Sequence, residues 1–580
     1  MTTYSRDDAR CGSAKSFFLS PFRLGAKMIR GRFAIPSGIR CVRASVIDRC
    51  FSSVDPIGVI TTKSISTVPR QGYREPIYAR YSFGSYINAV GLANPGAEVA
   101  CRELQEITVP NDKFLLVSVF GGNAKEFVAA ADVLRPVADG FELNMSCPHA
   151  AGYGIEIGQD VDLVAAITHE VVQAVQVPVF VKLSATIPQI GRTAAAAINA
   201  GAYGITVTNT LGPSVVDIGD VPILSNKVGG LSGNGIRPLA LRAVQVIRSA
   251  IGPAPTIIGM GGIGTPEHVL QFSKAGADVF GVGSAVTGLD THRFGEYFAD
   301  LEKCSASDSP YSSVGTDSAD TAVTMQYQQC QVVGIRHYSD RLYELTLDQL
   351  PGTPKSGDLS GRYYFLCVPG VGEKPFAVFS SEQRSIVIKS VGCLTSHLAR
   401  VASGSRFLLR GPYGRHFRGV EGASRYILVG GGTGIASLLE AGHFLRSSAS
   451  VEFVLGAATE AELFGLREFE SLGPVAVATD DGTIGFHGNA ADLLRQYIGA
   501  GELNSESVFV NCGPEPMIAA CADVERKVAT DDRIVAAVEY PTSCGVGICG
   551  KCASPSGHLT CIDGPFMSVR SFEARRCKRG

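Results

Sequence analysis

The densest chemistry in this sequence lies near its C-terminus, which reads Cys544-GVGI-Cys549-GK-Cys552-ASPSGHLT-Cys561. Thiolates at C-x4-C-x2-C, followed by one more cysteine, match the plant-type [2Fe–2S] pattern, in which a short loop wraps a small anionic cluster. Gly545, Gly547 and Gly550 let such a loop turn and aim N–H groups at the sulfurs. Four thiolates also suit tetrahedral zinc, but zinc sites usually divide into two C-x2-C arms, and here three cysteines share one loop. A cluster passes single electrons and makes no bonds, so it needs a donor and an acceptor.

Cys147 also stands apart. It sits in Glu142-LNMSCPHAAGYG, just past an expected strand, on a loop with Pro148 and several glycines. A loop cysteine can serve as a general base because its pKa lies near working pH. A cysteine at a strand end is more often inert, and the scattered Cys41, Cys50, Cys101 and Cys393 read as small hydrophobes. Further on, Arg425-YILVGGGTGIASLLEAGHFL reads as a strand, a glycine turn and a helix. Gly430, Gly431, Gly432 and Gly434 free the backbone to approach phosphate at a helix N-terminus. That signal is weak alone. Its weight comes from an ordered set: Lys374-Pro-Phe-Ala-Val378, Gly392-CLT-Ser396 and Arg410-GPYG-Arg415 upstream, then Val508-FVNCGPEPM downstream.

These residues need scaffolds, and the chain is long enough for several. It has 580 residues, 45% hydrophobic and 18% charged, which fits three to five globular units. A net charge of −2 gives no reason to expect a nucleic-acid partner. No uninterrupted apolar run reaches the length of a membrane span. Sixteen cysteines in so long a chain do not make a disulfide scaffold, and reduced or metal-bound sulfur argues for a cytoplasmic setting. Residues 1–32 are basic with a short apolar patch, and read as an extension or a partner-contacting arm rather than a signal peptide.

From 33 to 303, apolar runs alternate with amphipathic stretches. Phe114–Phe120, Phe141–Asn144, Val179–Leu183, Gly204–Thr208, Thr256–Gly259 and Val279–Val282 read as buried parallel strands. The fold class is α/β, with a (β/α)8 TIM barrel expected here and a doubly wound sheet as the alternative. Lys182, Asn209, Gly261 and Gly262 fall at strand ends, where a barrel builds its active site. The Ser-, Asp- and Thr-rich stretch 304–325 reads as a linker. Alternating runs over 326–420 suggest a small antiparallel barrel. Strand–helix alternation returns over 421–535, and 536–580 forms a cysteine-rich end.

The ordered set around the glycine turn resembles the ferredoxin–NADP reductase superfamily, with FAD on the small barrel and a pyridine nucleotide on the following α/β unit. In that resemblance Lys374, Pro375, Phe376 and Ala377 stand for the Arg-Pro-x-Ser-type flavin segment, with lysine losing the arginine fork and alanine a hydroxyl. Gly392 and Thr395 belong to the second FAD phosphate element, and Gly430, Gly432 and Gly434 to the nucleotide turn. An iron–sulfur tail after such a reductase, ending in Cys561-IDGPFM, resembles the electron-transfer subunit of class 1B dihydroorotate dehydrogenase.

The barrel resembles the class 1 dihydroorotate dehydrogenase family, through Thr62-Lys63-Ser64, Asn88-AVGLANPG, Leu143-NMSCP, Val181-Lys182-Leu183, Thr208-Asn209-Thr210, Gly229-GLSG, Gly259-MGGI and Gly283-Ser284. The resemblance implies that Cys147 takes the C5 proton of dihydroorotate while hydride passes from C6 to FMN. Lys63 pairs with the substrate. Asn88, Asn144, Asn209 and Thr210 match the pyrimidine's donors and acceptors, and the backbone of Gly91 and Leu92 holds the carboxylate. Lys182 stabilises charge on reduced flavin. Ser37 and Gly38 line the flavin face, Ser64 is a further cofactor contact, and Gly233, Gly261, Gly262, Gly283 and Ser284 cradle the FMN phosphate.

Together the resemblances imply that two class 1B subunits are fused here, carrying electrons from dihydroorotate through FMN, the cluster and FAD to NAD+, in a homodimer paired through the barrel. Two other readings stay open. His149 stands after Pro148 where many bacterial class 1 enzymes carry an asparagine, and with Gly158 to Asp160 the segment also resembles dihydropyrimidine dehydrogenase, acting on uracil or thymine. The other is a non-catalytic barrel serving as a docking scaffold for the reductase. Cys147, Lys63 and Lys182, all present, argue against it.

Overall fold

The computed structural model describes residues 20–147, 154–218, 221–302 and 325–573. They fall in two compact units, one within Met1–Ala322 together with Gly547–Lys551, the other within Val323–Val546 together with Cys552–Gly580.

The first unit is a closed barrel of eight parallel strands. They are β1 (Phe33–Ile35), β2 (Ile57–Thr61), β3 (Phe114–Val119), β4 (Gly140–Asn144), β5 (Val179–Leu183), β6 (Gly204–Val207), β7 (Thr256–Met260) and β8 (Val279–Gly281). The strands neighbour one another in chain order, and β8 closes against β1. Helices α1 (Ala44–Ser53), α2 (Ala97–Leu104), α3 (Ala124–Leu134), α4 (Val161–Ala174), α5 (Ile190–Asn199), α6 (Arg237–Ile251), α7 (Pro266–Ala275) and α8 (Thr291–Glu302) complete the unit. Strands covered on both faces read as continuous apolar runs, and all six residues of β3 are buried. Local chemistry starts the helices. Asn123 caps α3 by accepting from the Glu126 N–H at 3.1 Å, and Asp160 accepts from two N–H groups at the start of α4. Thr265 caps α7, with Pro266 in its first turn.

Three sequence expectations change. β1 and β2 were not among the expected strands. Residues 20–32 are not a free extension: Phe22–Leu24 and Lys27–Ile29 form a hairpin whose Leu24 and Ile29 are fully buried in one cluster with Phe114 and Phe180. Burying those two side chains outweighs the basic character of the flanking residues. An antiparallel sheet of Tyr78–Ser82, Ser85–Asn88, Gly229–Gly233 and Leu211–Ser214 also stands outside the barrel repeat, and it carries Asn88 and Gly233.

The second unit holds two sheets. The first has six antiparallel strands, β9 (Gln328–His337), β10 (Leu342–Leu347), β11 (Tyr363–Val368), β12 (Gly372–Ala377), β13 (Ser385–Lys389) and β14 (Arg406–Tyr413), in the order β12-β11-β14-β9-β10-β13. The second has parallel strands β15 (Arg425–Gly431), β16 (Ser450–Ala457), β17 (Val475–Thr479), β18 (Phe486–His487), β19 (Ser507–Cys512) and β20 (Ile534–Ala537). β21 (Met567–Ser568) adds antiparallel to β20. A boundary at 535/536 would therefore cut β20, and the C-terminal segment returns to pair with this parallel sheet. Of the expected linker 304–325, only Met325 is described, and it is buried.

Candidate active site and redox centres

The barrel gathers its candidate residues at the C-terminal ends of its strands. Ser37 and Gly38 follow β1, Lys63 and Ser64 follow β2, and Cys147 follows β4. Lys182 lies near the end of β5, Asn209 and Thr210 follow β6, Gly261 and Gly262 follow β7, and Gly283 and Ser284 follow β8. This is the end where barrels of this type build active sites.

Cys147 is buried and packs with Leu92 and Phe120. A Cβ on Gly154 would come within 2.5 Å of the Cys147 Cβ, so that glycine is required by the cysteine's position. Pro148 and His149 lie outside the described residues. Burial pushes Lys63 below the ordinary lysine range; Cys41 and Cys147 oppose the shift, and Lys182 adds to it. Burial also pushes the neighbouring Cys41 thiol up to about 11, so it stays protonated at neutral pH. A Cβ on Gly38 would stand 3.9 Å from the Lys63 Nζ, and no heavy atom lies closer.

Behind these groups runs a buried polar chain. The Asn144 Nδ2 donates to the Ser64 Oγ at 2.9 Å, and Ser64 meets the Ser118 Oγ at 3.0 Å and the Ser37 Oγ at 3.2 Å. Ser118 donates to the Glu142 Oε1 at 3.0 Å, and the Lys182 Nζ stands 3.6 Å from that oxygen. On the other side, Ser146 donates to the Asn144 Oδ1 and accepts from the Asn209 Nδ2, both at 2.9 Å. Two asparagines and a lysine are thus held by Ser64, Ser118, Glu142 and Ser146. Sequence reasoning gave Ser118, Glu142 and Ser146 no role. Glu142 and Ser146 sit inside the Cys147 motif, and that proximity was the available signal.

The segments expected to take the carboxylate and the phosphate are shaped by their backbones. Gly91 and Leu92 have φ of 73° and 55°, and Arg70 donates to the Gly91 carbonyl at 2.9 Å. Asn88 ends its strand opposite Gly230. Gly233 and Gly262 have positive φ, and a Cβ on Gly262 would sit 2.7 Å from the Gly233 oxygen. Those two loops are therefore in contact and admit no side chain there.

In the second unit, Lys374, Pro375, Phe376 and Ala377 lie on β12, with Lys374 exposed. The Thr395 Oγ1 accepts from the Val391 and Gly392 N–H groups, both at 2.9 Å, and fixes that turn. The glycines of the nucleotide turn divide. A Cβ on Gly434 would meet the Cys512 oxygen at 2.5 Å, and one on Gly430 the Leu438 Cδ1 at 2.8 Å, so both serve packing. A Cβ on Gly432, with φ of 54°, would meet nothing within 4 Å among the described residues beyond its chain neighbours, which leaves it the open member of the turn.

Three of the C-terminal cysteines belong to this unit. Cys544, Cys552 and Cys561 are each buried to within 2% exposure, and hydrogen bonding of the Cys561 thiol to Cys544 and Cys552 is the largest influence raising it well above its ordinary pKa. Among the described residues these side chains are not arranged as a ready-made metal site. Cys549 is also buried. Arg410, which sequence reasoning noted only as part of a motif, binds both oxygens of Glu373 at 2.8 and 2.6 Å and donates to the Cys544 carbonyl at 2.9 Å.

Comparison with known proteins gives the barrel its family. The family model described as dihydroorotate dehydrogenase matches residues 26–303. The catalytic subunit of dihydroorotate dehydrogenase B (NAD(+)) of Thermococcus kodakarensis is 44% identical over 231 residues, which cover 40% of this chain and 75% of that protein. The chain belongs to the dihydroorotate dehydrogenase family. It is accordingly a member of an oxidoreductase family, and the match lies within the barrel unit. The subunit of the same name from Methanothermobacter thermautotrophicus is 39% identical over 262 residues, covering 44% of this chain and 84% of that protein. Among solved structures, DHODH from Eimeria tenella aligns at a TM-score of 0.39 with 17% identity, covering 47% of this chain and 79% of that one. A score of that size adds nothing to the strand topology. No helix among the described residues of this family member is long and apolar enough to cross a membrane.

Proposed function

We propose that this chain oxidises dihydroorotate to orotate and passes the electrons to NAD+. The observation that carries the proposal is the convergence of Cys147 and Lys63 with the Asn144–Asn209 network at the C-terminal ends of a barrel in this family. Its relatives are named as NAD(+)-linked catalytic subunits.

In this reading Cys147 removes the C5 proton, and the C6 hydride leaves the ring as the C5–C6 double bond forms. Lys63 pairs with the substrate, and Asn88, Asn144, Asn209 and Thr210 orient the ring through its alternating donors and acceptors. The backbone at Gly91 and Leu92 receives the carboxylate. Ser37, Gly38, Ser64, Lys182, Gly233, Gly261, Gly262, Gly283 and Ser284 would hold FMN. Lys374 to Ala377, Gly392 and Thr395 would hold FAD, and Gly430, Gly432 and Gly434 the nucleotide. Cys544, Cys549, Cys552 and Cys561 would hold a [2Fe–2S] cluster. Soft thiols at this spacing suit the cluster, and the buried, closely approaching sulfurs of Cys544, Cys552 and Cys561 support it. Bound, these groups supply a hydride acceptor and a one-electron relay to NAD+.

The same reading divides the chain into a barrel over 33–303, a linker over 304–325, a flavin unit over 326–420, a nucleotide unit from 421 that takes in the whole of β20, and a cluster segment over the remainder to 580, with a homodimer formed through the barrel. A uracil- or thymine-type substrate is the second reading, favoured by His149 and the Gly158 to Asp160 stretch. Cys147→Ala tests the base. Dihydroorotate-dependent NAD+ reduction should fall by at least about 100-fold, the range of general-base contributions, while NADH oxidation by an artificial dye persists. Substantial dihydroorotate turnover in that variant would overturn the assignment.

A further inference from the structure

The hydroxyl of Tyr363 is buried and has no hydrogen-bond partner among the described residues. An unpaired buried hydroxyl forfeits the hydrogen bonds it made to water, so such a group calls for a partner. Tyr363 opens β11 opposite Tyr413 of β14, and the two rings stand 6.1 Å apart. Phe365 and Tyr413 press on the loop that follows Cys544: a Cβ on Gly545, at φ of 79°, would meet them at 2.9 and 3.0 Å. The same loop is held from behind by Arg410, which donates to the Ser543 and Cys544 carbonyls. Tyr363 therefore sits where the sheet supports the cysteine loop. Burial first, and then charge on Cys561, Cys552 and Cys544, keep the phenol well above the ordinary tyrosine range. A phenol offers one O–H, and the groups that charge its surroundings are sulfurs, which accept.

We propose that Tyr363 donates a hydrogen bond to the sulfur shell of the cluster held by Cys544, Cys549, Cys552 and Cys561, and so raises that cluster's reduction potential. The inference rests on the cluster assigned above. Taking up one electron adds negative charge to the sulfurs, and a fixed donor stabilises the reduced state more than the oxidised one. Tyr363 is a positioning and tuning residue and supplies no ligand.

The test is Tyr363→Phe in the cluster-loaded full-length protein, with midpoint potentials read by electron paramagnetic resonance for the cluster and by absorbance for the flavins. Losing one charge-assisted hydrogen bond should change the one-electron equilibrium about tenfold, a fall of about 59 mV in the cluster midpoint. The FAD midpoint should stay in place. An unchanged cluster midpoint, or a shift confined to FAD, overturns the proposal. If Tyr363→Phe cannot be loaded, the wild type with 3-fluorotyrosine decides. A more acidic phenol should raise the cluster midpoint, and an unmoved midpoint rejects the donor. Failure of the cluster reading looks different: the wild type then carries no iron and no reduced-cluster signal.

Discussion

At the scale of single residues, the barrel site depends on groups that touch no substrate. Glu142 is fully buried, and it is the carboxylate that faces Lys182 and receives Ser118. Removing one partner of a buried ion pair leaves the other charge uncompensated, at a cost of about 3–5 kcal/mol. Glu142→Ala should therefore destabilise the barrel by roughly that amount in denaturant titrations, and Glu142→Gln by less, because an amide still receives Ser118. A Glu142→Ala change below about 0.5 kcal/mol, the scatter of neutral surface substitutions, would mean that Lys182 draws its support from elsewhere. The sequence shows the motif residues Cys147, Lys63 and Asn144 plainly. It does not show the polar chain behind them, because Ser64 follows β2 while Ser118 lies on β3 and Glu142 on β4, and they meet only when the barrel closes.

Among elements, legibility followed burial and length. β3 to β8 read correctly because each is an apolar run packed on both faces. β1 has three residues, too few to show a period. β2 is broken by Gly58, where a Cβ would come 2.0 Å from the Gly31 oxygen. The N-terminal hairpin was hidden because exposed Met28 and flanking basic residues surround the two side chains that bury. In the parallel sheet of the second unit, Asn511 of β19 donates to the Glu525 Oε2 at 2.9 Å, while the Glu525 Oε1 is buried without a hydrogen-bond partner among the described residues. Burial pushes the Glu525 carboxyl up from 4.5 to about 8. A raised folded-state pKa makes folding take up a proton. The stability this gives is full below the ordinary carboxylate range and is lost as pH rises through about 8. The slope is at most about 1.4 kcal/mol per pH unit. Glu525→Gln, neutral at every pH, should flatten that dependence. Equal pH slopes for both proteins in denaturant titrations would show that the carboxyl titrates normally.

For the whole molecule, the division into two compact units was legible because each part carries its own motifs. The substrate was less legible, because it turns on the loop that includes His149, beyond the described residues. In the proposed function a pyrimidine is oxidised at the barrel and NAD+ is reduced by the same chain. The most direct measurement supplies the purified, cofactor-loaded protein with NAD+ and either dihydroorotate or dihydrouracil, and follows NADH. NADH should form with dihydroorotate, and none above background with dihydrouracil. Turnover of dihydrouracil, or no NADH from dihydroorotate in protein that carries both flavins and iron, would contradict the proposed function.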